Sequence, residues 1–156
     1  MANYCTNEVT FTHDNPHKLE EMVNIFRNEK PFNQLIPEPD WLTIPNENGD
    51  LPEKEVVKLS TGENISILKW PKNNKPDDRW HSWRREHWGC RQDISDVEID
   101  YQLAGNIVHM TFVTPWSPPD AIYEKLCEMG YEFMQWQWDV EELPDSGDLV
   151  PLEVVA

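Results

Sequence analysis

The chain contains no apolar run of about 18 residues, roughly what a helix needs to cross a bilayer, so no membrane-spanning helix is expected. Its opening, Met1-Ala2-Asn3-Tyr4-Cys5, lacks the basic region and apolar stretch of a secretory signal. Cysteine is scarce: Cys5, Cys90 and Cys127 are odd in number and far apart. That spacing argues against a disulfide framework and predicts a reduced, cytoplasmic protein. Basic side chains are almost missing from residues 92–156, which hold 14 acidic residues and one basic residue, Lys125. Catalytic motifs are missing too. Ser117 has none of the flanking glycines of a nucleophile elbow. His81, His87 and Cys90 lack the second clustered pair that a zinc site requires. No enzyme activity, metal or cofactor is expected.

What is present organises itself around residues 93–139. Residues 94–101 alternate, with Val97, Ile99 and Tyr101 opposite Glu98 and Asp100. Leu103-Ala104-Gly105-Asn106 reads as a tight turn, and Val108, Met110 and Phe112 then alternate with His109 and Thr111. Period-two patterning across such a turn predicts a half-buried antiparallel hairpin. Trp116-Ser117-Pro118-Pro119-Asp120 reads as a helix start with Ser117 as cap and Pro118 in the first turn. Ile122, Leu126 and Met129 share its apolar face and Gly130 ends it. Residues 131–140 predict a last strand with Met134, Trp136, Trp138 and Val140 on one side.

An earlier strand and helix complete a β-α-β-β-α-β pattern, the ferredoxin-like arrangement: an α+β antiparallel sheet with two helices on one face. Residues 4–12 alternate Cys5, Asn7, Val9 and Phe11 with threonines and Glu8. Asn15 and Pro16 start a helix whose stripe is Leu19, Met22, Val23 and Phe26. Pro31 is expected to end it. Residues 32–39 read as an ordered loop across the core, because their prolines forbid an ordinary helix. Residues 40–78 read as an insertion holding a small hairpin at 54–70 and a mobile loop at 71–78. The whole, 1–156, is expected to be one domain, with residues 141–156 an acidic, loosely docked tail.

Four segments carry a family resemblance: Ala2 to Phe11; Phe32-Asn33-Gln34-Leu35-Ile36-Pro37-Glu38-Pro39; Trp83 to Asp93, built on Trp88-Gly89; and Thr114-Pro115-Trp116-Ser117-Pro118-Pro119. In order and spacing they resemble the YubB ferredoxin-like family of phages, plasmids and genomic islands, over about residues 2–140. The resemblance implies the same fold and a mobile-element origin, with the cytoplasm of the host cell as location. It implies no iron–sulfur cluster and brings no established activity. His87 and Cys90-Arg91-Gln92 depart from the family, which has Asn before the Trp-Gly pair and Thr-Lys-Trp after it.

The formal net charge is −16. Residues 1–53 carry 10 acidic and 3 basic side chains, residues 54–91 carry 5 and 9, and the remainder is the acidic stretch already described. Such a chain repels nucleic acid and anionic membranes and attracts basic partners. The polar side of the sheet predicts an outer face of Thr6, Glu8, Thr10, Glu98, Asp100, His109, Thr111, Gln135, Gln137 and Asp139. The leading expectation is a binding protein that engages a basic host protein, nucleic-acid-binding or defensive, by charge mimicry through Glu98, Asp100, Asp139, Glu141 and Glu142. The alternative is a small-ligand or nucleotide site on a loop at 79–91, using Arg84, Arg85, His87, Trp88 and Arg91, where basic and aromatic side chains interleave. A third is a homodimeric scaffold joined through sheet edges.

Overall fold

The computed structural model describes residues 4–102, 105–140 and 146–149. The fold is α+β, in two compact units: residues 1–37 with 84–156, and residues 38–83.

The first unit is built on a five-stranded antiparallel sheet. β1 (Tyr4–Thr12) lies inside it and buries Cys5, Asn7, Val9 and Phe11, the predicted side. α1 (Pro16–Arg27) starts as expected: the Asn15 side chain accepts from the His17 N–H at 3.0 Å, and Pro16 sits in the first turn. It buries the predicted stripe. The helix ends at Arg27, before Pro31. Pro31 instead opens α2 (Pro31–Leu35), one helical turn where a loop is expected. A proline fits there because the first N–H of a helix has no partner to lose. The Asp93 carboxylate accepts the Phe32 and Asn33 N–H groups at 3.0 and 2.9 Å, supplying the cap.

β4 (Glu98–Gln102), β5 (Ile107–Pro115), α4 (Asp120–Glu128), β6 (Glu132–Val140) and β7 (Ser146–Asp148) complete this unit. The strand order is β4-β5-β1-β6-β7. β4 starts later than the alternation suggests, since Asp93 is engaged with α2 and Asp96 takes a positive φ of 55°. Of the predicted turn, Leu103 and Ala104 lie outside the described residues.

One sheet face is apolar, and both long helices of this unit pack on it. Phe26 of α1 meets Phe112, and Tyr123 of α4 meets Trp136, with ring centres 6.1 and 5.1 Å apart. Phe112 and Trp136 touch edge to face at 6.0 Å. At the centre of this layer sits a fully buried amide. Asn7 donates to the Cys5 carbonyl and to Thr114 Oγ1, and its Oδ1 accepts from Trp136 Nε1 at 3.1 Å. A buried amide is tolerated only when bonded this way.

Two register expectations fail. In β6, Met134 is 58% exposed and Phe133 takes its place against Phe11 and Tyr123. A bulge explains this: Thr10 faces Gln135 and Phe11 faces Phe133, so Met134 is an extra residue. In α4, Ser117 is no cap. Its hydroxyl donates to the Gly89 carbonyl at 2.9 Å, and the helix begins at Asp120. The buried face of α4 is Ile122, Tyr123 and Leu126, while Met129, beyond the last turn, is 40% exposed.

The second unit contains a 3-10 turn at Trp41–Thr43 and the predicted hairpin, β2 (Glu53–Lys58) with β3 (Asn64–Lys69). Residues 71–78, expected to be mobile, are tied in: Trp70 and Lys75 bond backbone to backbone at 2.8 Å, and the Asp77 N–H donates to Leu68 at 2.8 Å. Arg79 organises this unit. Its guanidinium pairs with the buried Asp77 carboxylate at 2.9 Å and donates to the carbonyls of Trp41, Ile44 and Pro45. It lies 5.1 and 4.8 Å from the ring centres of Trp41 and Trp70. α3 (Arg79–His87) begins in this unit and ends in the first. Among the described residues no helix is long and apolar enough to cross a membrane.

Candidate functional site

The sheet face opposite the helices is polar, and strand register sets its layout. Glu98, Thr111, Glu8, Gln137 and Asp148 form one row across all five strands. The next row holds Asp100, His109, Thr10 and Gln135, and Asp139 lies beside Thr6 and Val113 in a third. With strands about 4.8 Å apart, Glu98 and Glu8 stand roughly 10 Å from each other, and the row spans roughly 19 Å. No lysine or arginine occupies these positions. His109 Nδ1 is 2.7 Å from Thr10 Oγ1, and Gln135 donates to Gln137 at 3.0 Å, so these four side chains pair with each other and not with the carboxylates. Carboxylates at such spacing match separate cationic groups better than one chelated ion. Among the described residues no three His, Cys, Asp or Glu side chains converge as metal ligands.

Two depressions mark this face. A groove of about 630 Å³ is lined by Thr6, Glu8, Gln137, Trp138, Asp139, Gly147 and Asp148. A second, about 430 Å³, lies by the start of β4 and includes Asp93, Asp96, Glu98, Thr111 and Val113. Glu98, Asp100 and Asp139, expected as partner-binding residues, are all exposed on this surface. Glu141 and Glu142 lie outside the described residues. Glu8 and Asp148 join the acidic row, beyond the expected partner-binding residues. Glu8 shares its strand side with Thr6 and Thr10, so its orientation is readable. Asp148 is not readable, because Ser146–Asp148 forms an edge strand where a loose tail is expected.

Residues 79–91 are not a loop. They comprise α3 and the turn after it, and their C-terminal half holds the start of α4. The Trp88 carbonyl accepts the Ile122 N–H at 3.3 Å, satisfying a helix-start donor that Ser117 does not reach. Trp88 is 2% exposed and donates from Nε1 to the Ile36 carbonyl at 2.9 Å. Arg84 donates to the Arg91 carbonyl and lies over the Trp88 ring, and Arg91 lies over Trp116. His87 is half-buried and Arg85 exposed. Gly89 has φ 93°, and a Cβ there would strike Asp120. Most of the interleaved arginines and tryptophans thus make contacts within the fold.

No family model, curated protein or solved structure matches the chain.

The thiols offer little chemistry. Burial raises the Cys90 thiol from 9.0 to about 12, outweighing a backbone hydrogen bond from Gln92 that lowers it. Burial likewise raises Cys5. Neutral thiols are poor nucleophiles and poor metal ligands. Cys127 is half-buried.

Proposed function

We propose that this chain is a ferredoxin-like binding protein, without catalytic activity, whose acidic outer sheet face engages a basic protein. Within that reading it is a cytoplasmic product of a phage or other mobile element, related to the YubB family. Its partner is a basic host protein, nucleic-acid-binding or defensive, held by charge mimicry. The strand order β4-β5-β1-β6 and the intervening α1 and α4 support the ferredoxin-like assignment, with β7 an added edge. One observation carries the function: Glu8, Glu98, Asp100, Asp139 and Asp148 share a face whose described strand positions hold no lysine or arginine. Neighbouring carboxylates among them lie within or near a Debye length of about 8 Å, so their fields add at the surface. Architectures of this kind that bind RNA use aromatic and basic residues on the same face; here the chemistry is inverted.

The test uses tagged protein on host lysate at low and high salt, beside the charge-reversed variant Glu98→Lys/Asp100→Lys/Asp139→Lys. The expected result is a basic protein retained by the parent at low salt, released at high salt and absent from the variant. Equal retention by the variant, or no retention at either salt, would sink the proposal.

A further inference from the structure

β4 is the last strand on its side of the sheet. Its pairing runs to β5 alone, from Glu98 with Thr111 to Gln102 with Ile107. Among the described residues of this unit, no backbone group outside that ladder bonds to residues 98–102. Among the described residues the strand therefore presents a line of N–H and C=O groups not used in a ladder, a template for another strand. Natural proteins blunt such edges with short strands, charged side chains, proline or bulges. β4, EIDYQ, has neither proline nor bulge, and its guarding charges are both carboxylates, which repel acidic strands and admit basic ones.

Side chains along the edge discriminate among incoming strands. Glu98 and Asp100 are exposed on the outer face, and Ile99 and Tyr101 alternate with them on the inner side, half-buried. A second copy of the chain is a poor fit. Two-fold antiparallel pairing centred on Asp100 sets carboxylate against carboxylate, in molecules that each carry −16. An added strand that alternates basic and apolar residues fits both sides, its cations meeting Glu98 and Asp100 and its apolar side chains covering Ile99 and Tyr101. The depression beside Glu98, with Asp93 and Asp96 in its lining, extends the same charge beyond the end of the strand.

We propose that the free edge of β4 takes up an extended basic segment of the partner as an additional strand of the sheet. This rests on the acidic-face reading above and adds a binding mode to it: main-chain bonds along β4 give affinity, and alternate side chains give specificity.

The probe is a short, capped, fluorescently labelled peptide of alternating lysine and valine, measured by anisotropy at low salt. Two isomers are compared with it, one N-methylated at every lysine and the other at every valine. Both keep the charge. In an extended chain the N–H groups of alternate residues point to the same edge. With lysines held against Glu98 and Asp100, only one isomer has its methyl groups facing β4. That isomer is expected to bind about tenfold more weakly or worse, as several modest hydrogen bonds are lost together, while the other binds as the parent does. Equal binding of all three peptides, or equal loss for both isomers, overturns strand addition and leaves the acidic-face reading standing. Failure of every peptide to bind overturns both. No protein variant enters these comparisons, so misfolding cannot mimic any outcome.

Discussion

Arg79 and Tyr101 show what single side chains contribute. Asp77 is almost wholly buried, with 1% of its side chain exposed, and its charge is tolerable because Arg79 sits against it. Arg79→Ala would leave that carboxylate unpaired and remove the donors to three backbone carbonyls. Breaking one side of a buried pair costs about 3–5 kcal/mol. The expected readout is faster amide exchange across residues 38–78, partly restored by adding Asp77→Ala. Unchanged exchange would mean that Arg79 does not organise the second unit. Tyr101 is the opposite case: its hydroxyl is buried without a hydrogen-bond partner among the described residues. Removing an unsatisfied buried group does no harm and often helps. Tyr101→Phe is therefore expected to be neutral or to gain about 1 kcal/mol in urea unfolding; a loss of that size would reveal a partner for the hydroxyl.

Elements depend on neighbours that local patterns do not reveal, and the start of α4 is the clearest example. Its cap comes from Trp88 and its first turn packs on Gly89, about thirty positions upstream. Gly89→Ala meets two penalties, a left-handed backbone costing about 1–2 kcal/mol and a collision with Asp120 costing about 1–3 more. Gly62 supplies the control. It also has positive φ, at 92°, with nothing near its missing Cβ, so Gly62→Ala should show the backbone penalty alone. Equal losses in urea would show that the contact between Gly89 and Asp120 is slack. The same dependence explains what the chain reveals when read alone. β1, β5 and α1 are legible because burial follows period two or 3.6 without interruption. The bulge at Met134 is invisible until β6 is laid against β1. α3 has helical spacing in Trp80, Trp83 and His87, but four arginines and no aliphatic stripe in residues 79–91 disguise it. The outer acidic face is legible through alternation, except for Asp148, whose strand has only three residues and takes its register from β6.

At the scale of the whole molecule, buried weak acids determine how the fold responds to alkali. Burial holds Cys90 at about 12 instead of 9.0 and Tyr131 at about 12 instead of 10.0, and it also raises Cys5 and Tyr123. In each case the folded state keeps a proton that the unfolded chain releases earlier. The contribution to stability is thus fully present below pH 9, where both states are protonated. It is lost as pH rises from about 9 for the thiols and about 10 for the phenols, up to the folded values, about 12 for Cys90 and for Tyr131. The slope is up to about 1.4 kcal/mol per pH unit for each group. Repulsion among the carboxylates cannot produce this onset, because they are already ionised at neutral pH. Urea unfolding measured from pH 7.5 to 10.5 should therefore give a nearly level free energy that turns down near pH 9. Cys90→Ala should make the fall between pH 9 and 10 shallower by up to about one group's slope, since the thiols are the first of these groups to titrate in the unfolded chain. A variant as steep as its parent would mean that the Cys90 thiol ionises as easily in the fold as outside it. The closed packing of Trp88, Gly89 and Cys90 against α4 would then be wrong.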